Sequence, residues 1–395
     1  MGVPAELLAA PAGRRLFGLE RLWLAADRSW PPFVNQLVVE GEGEADPDAL
    51  LRALPALAAA WPAARARLQG RLGGCRWVAD GRPPAVREGG DWDGVSPHPA
   101  LSARLDPACG PIVEVVRFTG RIVVRTHHAA FDGRAAWPLA VDLGRALRGE
   151  PLEGATFSGV EEPPAPGPRP PAPPADSPLA VPGRPGGGAE PRWALRSLPA
   201  APRHAVVRIA LGLAAARGER VRVSVPVDLR PAPRPAVAAN LTGFVRLDVL
   251  LDEDVAAVAA RLRAAVHSPE PHASLHAADG LHVWPVWLLA ALASASASAQ
   301  LRARRVPGTA SISNLGLQDA AVLDHAGFRG RALYWLPPAN PGSGAFITLT
   351  GHAGGLELVV GLPAGLAEGG RLDALAGVLA ASLSATAGAD AAVPR

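Results

Sequence analysis

The chain has no lysine: all 39 basic residues are arginine, set against 36 Asp and Glu for a formal net charge of +3. The arginines are scattered rather than clustered with aromatics. The sequence pI of about 9.6 therefore does not read as a nucleic-acid surface. Arginine in place of lysine, with 43 Gly and 42 Pro, suggests instead a GC-rich genome. Cysteine is nearly absent. Cys75 and Cys109 are the only two, which excludes a disulfide framework and a cysteine-rich zinc site. The run Gly186-Gly187-Gly188 is not a phosphate loop, because no GK[ST] follows and there is no lysine to supply it. The N-terminus lacks a charged region followed by an apolar one, so no secretory signal is expected. One stretch, 280–301, has no Asp, Glu, Lys or Arg and is long enough to span a bilayer. It carries His282, Pro285 and a Ser-Ala alternation, so we expect a buried helix, no membrane span and a cytoplasmic protein.

With 395 residues, 49% of them hydrophobic, the chain is long enough for two lobes. Both halves mix strand-like and helix-like runs, which makes the fold class α/β. In the first half we expect a helix over 16–26 and a strand over 33–41. A second helix is opened by Asp46-Pro47, with Leu50, Leu51, Leu54, Leu57 and Ala58 as its apolar stripe. Short strands follow over 65–72 and 76–79, then a hairpin over 112–118 and 122–126. A helix beginning near Pro138 stops near Gly149. The second half reads as helices over 202–217, 253–266, 281–304 and 370–387. Strands are expected over 221–227, 243–251, 309–314, 345–350 and 356–360. Between the halves the composition turns to Pro and Gly, which leaves no packed element. The expected division is 1–160, a linker at 161–192, and 193–395.

The residues that carry chemistry are His127-His128-Ala129-Ala130-Phe131-Asp132-Gly133. A neutral imidazole takes a proton from an attacking hydroxyl or amine near neutral pH. The acid fixes the local loop through a salt bridge, and the glycine lets the backbone turn. The motif follows directly on a strand, where a loop projects side chains from a rigid element.

This HHxxxDG motif resembles that of the condensation-domain superfamily: condensation domains of nonribosomal peptide synthetases, and polyketide-associated and wax-ester acyltransferases. Leu19-Glu20-Arg21-Leu22-Trp23 looks like the family's first-helix signature. The segment from Trp61 to Leu68 resembles its arginine-bearing stretch, with Arg65 at the arginine, although Trp61-Pro62 stands where Arg-His is common. Val225-Pro226-Val227-Asp228-Leu229-Arg230, then Asn240-Leu241-Thr242-Gly243, resembles a block of the second lobe. Ser313-Asn314-Leu315-Gly316 is similar to a further segment. The likeness runs over nearly the whole chain, in order.

The resemblance implies two chloramphenicol-acetyltransferase-like lobes in a V, with the active site in the channel between them. It implies no bound cofactor. The donor would be an acyl thioester on phosphopantetheine, carried by CoA or by an acyl or peptidyl carrier protein acting in trans. The acceptor would be a small molecule with an amine or hydroxyl. His128 would be catalytic. His127 would be structural, and Asp132 would pair with an arginine, Arg230 first and Arg65 second. Gly133 either directs its N–H at a developing oxyanion or simply turns the chain. Asn240 and Asn314 either line the channel or cap strand ends, and Trp137 either walls an acyl pocket or sits in the core. His272, His276 and His282 are too loosely spaced, and lack the acidic companions, to make a metal site. A second reading keeps the fold and drops the catalysis, leaving a protein that recruits a carrier or partner enzyme. Retention of His127, His128, Asp132 and Gly133 favours the enzyme.

Overall fold

The computed structural model describes residues 12–160, 174–182, 188, 190–230, 236–281, 283–339 and 344–384. Among them are two large sheets. The first has five strands, in the order Phe328–Leu336, Val34–Gly43, Arg121–His127, Val113–Phe118, Ala85–Gly90. All its pairings are antiparallel except the last. The second has six, in the order Thr242–Val249, Val221–Asp228, Ala310–Leu317, Ala345–His352, Gly355–Pro363, Pro191–Leu198.

Period-two alternation sorts the first sheet's side chains cleanly. Leu37, Val39, Val113, Val115, Ile122 and Val124 join one core. Their neighbours Val38, Val116 and Val123 face the other way, into a cluster that includes Trp193 and Val359 of the second sheet. That shared cluster joins the two lobes. A third core, under the second sheet, is closed by the helices Ala205–Arg217 and Arg371–Ser384.

The helix Pro47–Ala60 begins where expected, its Asp46 carboxylate accepting from the Asp48 N–H at 2.9 Å. Leu50, Leu54 and Leu57 are buried, but Leu51 turns to solvent. The helix after the motif is longer than expected. It spans Gly133–Arg148 and takes Pro138 into its interior, ending at Gly149 with φ 71°. The cause is its cap: Asp132 accepts from the Ala135 N–H at 2.8 Å and starts the helix one residue on. Within it, Gly144 lies against the Val322 carbonyl, and a β-carbon there would stand 1.8 Å from that oxygen. We expect Gly144→Ala to lower stability by about 1–3 kcal/mol, the cost of an overpacked contact. Chemical denaturation would show it as a lower midpoint at unchanged slope.

Three readings need correction. Strand Phe328–Leu336 lies beyond residue 193 yet forms the edge of the first sheet, in register from Phe328↔Gly43 to Leu336↔Gln36. Arg329, Gly330 and Arg331 break its alternation, so its start looks like a loop. Inside the expected linker, Ser177–Pro178 pairs with Arg305–Val306, and Leu179, Ala180 and Val181 are buried in the third core. The helix expected over 281–304 spans Val286–Ala303 and buries only Leu289, Ala290 and Ala297, leaving Trp287 and Leu292 exposed. No helix among the described residues is long and apolar enough to cross a membrane.

Candidate active site

The HHxxxDG segment is a strand end, a tight loop and a helix start. His127 closes strand Arg121–His127, and the next N–H, of His128, donates to the Phe33 carbonyl at 3.1 Å. Ala130 and Phe131 donate back to the His127 carbonyl at 3.0 and 3.1 Å. Asn35 locks the loop by donating to the Phe131 carbonyl at 2.7 Å. Adjacent strand residues point to opposite faces, so the two imidazoles part company.

His127 is fully buried. Its Nδ1 accepts from the Ala129 N–H at 3.2 Å, and its Nε2 stands 3.5 Å from Asp27 Oδ2. Asp27, also fully buried, accepts from Arg104 at 2.6 Å and from the Phe33 N–H at 3.1 Å. Burial opposes its charge, but His127, Arg104 and the Phe33 N–H together outweigh that and hold the carboxyl below its usual range.

His128 instead faces a cavity of about 290 Å³ between the two sheets. Its ring lies among aromatics, 5.2 Å from Phe33 and 5.7 Å from Trp23 between ring centres. The partly buried ring lies deep among protein atoms, and this burial pushes its pKa down to about 4. An interaction with its own backbone carbonyl acts weakly the other way. Asn240 donates to that same carbonyl at 2.7 Å and lies 3.4 Å from Nδ1. The ring's bond to its own backbone carbonyl needs a ring N–H, and Nδ1 is the nitrogen within reach of that oxygen, so we assign the proton to Nδ1. Nε2 then remains as an acceptor with no partner among the described residues. Asn240 is itself set by Glu20, which accepts its backbone N–H at 3.2 Å and is clasped by Arg14 at 2.6 Å.

Asp132 joins the lobes. Its Oδ1 accepts from Ala135 N–H and, at 2.9 Å, from Arg230; its Oδ2 accepts from Arg230 at 3.1 Å, Leu241 N–H at 3.0 Å and Thr242 hydroxyl at 2.8 Å. Burial opposes the charge, but Arg230 and these donors keep the carboxyl below its ordinary value. Arg230 also bonds Asp228 at 2.9 Å and the Ala239 carbonyl at 2.9 Å.

The first lobe brings His128, Trp23, Phe33 and Gly133 to the cavity, and the second brings Asn240 and Asn314. A β-carbon at Gly133 would meet Leu315 at 3.1 Å. Asn314 sits exposed at a break in strand pairing, its Oδ1 accepting the Gly316 N–H at 3.0 Å. Two candidates lie elsewhere. Arg65 is exposed and is not a partner of Asp132. Trp137 is half-buried against the first core and does not line the cavity. His276 pairs with Asp279 at 2.7 Å, and His282 lies outside the described residues. Among the described residues no three His, Cys, Asp or Glu side chains are grouped to hold a metal. Asp27, Asn35 and Phe33 carry no motif signal in the sequence, while Glu20 and Trp23 fall within Leu19-Glu20-Arg21-Leu22-Trp23.

No protein-family model matches the sequence, and neither does any curated protein sequence. Solved structures do. The condensation domain of the Monacolin K polyketide synthase MokA superposes with a TM-score of 0.63 at 14% identity, covering 95% of this chain and 98% of that one. The first condensation domain of the calcium-dependent antibiotic synthetase, solved with a substrate analogue, gives 0.61 at 17% identity over 97% and 98%. The starter condensation domain of rhizomide synthetase RzmA, an R148A mutant with C8-CoA, gives 0.60 at 12% identity over 96% of each. Identities this low speak for architecture alone, and the architecture is that of the condensation domains.

Proposed function

We propose that this protein is a condensation-type acyltransferase, moving an acyl group from a phosphopantetheine thioester to an amine or hydroxyl. The carrying observation is the neutral His128 ring, with an unpartnered Nε2, in a cavity walled by both lobes. In this reading Nε2 takes the proton of the acceptor as it attacks the thioester carbonyl, and returns it to the departing thiolate. The first-turn N–H of Gly133, which has no partner within its helix, serves the oxyanion. The cavity's apolar end, with Trp23, Phe33 and Phe244, suits an acyl chain or pantetheine arm. The RzmA domain's complex with C8-CoA makes an acyl-CoA a practical first donor, and an acylated carrier protein the second.

The test is thiol release from such donors, with and without amine and hydroxyl acceptors, over a range of pH. Only neutral His128 accepts a proton, and burial lowers its pKa from 6.5 to about 4. With a hydroxyl acceptor, which does not itself titrate in this range, the rate at limiting donor should therefore stay level as the medium turns mildly acidic and fall only as pH nears 4. Acceptor-dependent release with that profile supports the reading. No release with either donor class, or a fall centred near the ordinary value of 6.5, contradicts it.

A further inference from the structure

The second sheet turns a polar face to the cavity. Residues alternate along each strand, so Ser224, Thr242, Phe244, Arg246, Ser311 and Thr348 point in while their neighbours fill the core below. Strand register then sets three of them in one row: Arg246 pairs across with Ser224, and Ser224 with Ser311. No hydrogen bond or ion pair engages the Arg246 guanidinium among the described residues. Nearby Glu270 accepts only the Arg246 backbone N–H, at 3.0 Å. The adjacent Arg222 is different, being held by Asp176 and Asp248 at 2.8 and 2.9 Å. Burial depresses the Arg246 pKa, with Arg222 adding repulsion against the opposing pull of Glu270. A half-buried guanidinium that no carboxylate bonds, flanked by two serine hydroxyls with no hydrogen bond among the described residues, is an arrangement completed by an anion.

We propose that the Arg246–Ser224–Ser311 row is a specificity subsite for a carboxylate at the far end of a substrate whose reacting end lies at His128. Arg246 stands four residues along its strand from Thr242, which is tied to Asp132, and so roughly 13 Å from it. The fit is to a chain, acyl or acceptor, with the carboxylate remote from the reacting atom. The guanidinium offers two parallel N–H donors to such a group. The proposal rests on the acyl-transfer reading for the identity of the substrate, but binding can be read without turnover.

Calorimetric titration with suberate and with octanamide, chains of one length with and without carboxylates, tests the subsite directly. The wild-type protein should prefer suberate by on the order of tenfold to a hundredfold, the effect of a charged hydrogen bond. Arg246→Gln should abolish the preference and Arg246→Lys should keep part of it. His128→Ala should leave it intact. Equal binding of the two probes, or a preference that survives Arg246→Gln, overturns the subsite. Turnover then locates the carboxylate. Acyl N-acetylcysteamine thioesters, which have no phosphate, are compared with and without a terminal carboxylate, and acceptors as acid and amide. Loss of discrimination in Arg246→Gln with either pair supports the proposal. A loss seen only with phosphopantetheine donors assigns Arg246 to phosphate and overturns it. Suberate preference without thiol release from any donor would leave the subsite and remove acyl transfer.

Discussion

His128→Ala should lower acceptor-dependent thiol release by about 10²–10⁴-fold, the contribution of one positioned acid-base group. The fold should stand, because the ring faces a cavity and its removal leaves no buried donor stranded: Asn240 keeps its bond to the backbone carbonyl at 128. Thermal melts should therefore nearly coincide with wild type. The control is one residue away. His127 is fully buried against Trp77 and Asp27, with ring centres 6.5 Å apart in the first contact. His127→Ala opens a hole in packed protein and should cost melting temperature before it costs chemistry. Near-wild-type turnover by His128→Ala would end the catalytic assignment. Equal melting losses in both variants would end the division of labour between the two rings. A retained rate with an altered preference for acceptors would recast His128 as an orienting group.

Much of this site could be read from residues close together in the chain. The hairpin and the HHxxxDG segment are contiguous, and the cap of the following helix lies within the motif itself. Local periodicity does not say which face of a helix meets which lobe. Trp137 could be placed on a helix but not on its core side, and Arg65 could be matched to a pattern but not found at the surface. The supports of the two histidines were harder still. Asp27 meets Arg104 across 77 positions, and Glu20 meets Asn240 across 220. Single acids in a helix give no sign of such partners. The strand Phe328–Leu336 was missed for a related reason: half of its pattern exists only once Val34–Gly43 lies beside it. Arg230 was a different case. It sits in a short block that resembles one in the family, and the resemblance implies an arginine partner for the motif's acid, Arg230 first and Arg65 second.

The pairing of Asp132 with Arg230 should carry the largest stability effect. Both side chains are almost fully enclosed, and they bridge residues 98 apart in the chain. Removing one partner leaves the other charged and buried, at about 3–5 kcal/mol. Arg230→Ala leaves Asp132 without its counter-charge, whereas Asp132→Ala leaves Arg230 with Asp228 at 2.9 Å but uncaps helix Gly133–Arg148 and frees Leu241 N–H and Thr242. The double variant should be well short of additive, since the second change removes the charge that the first exposed. Asp132→Asn keeps an oxygen for the cap but loses the charge, so it should fall between. The pH dependence has a fixed sign. The folded carboxyl lies below its reference value of 3.8, so its stabilisation is complete above that value and disappears as pH falls through the lower, folded one. Wild type should lose stability steeply on acidification through that window, and Asp132→Asn less steeply. Because the same bonds place Thr242 and the Asn240 segment against His128, Arg230→Ala should also lower turnover of whatever fraction stays folded. A variant that melts like wild type would show that the lobes are held by the shared apolar cluster alone.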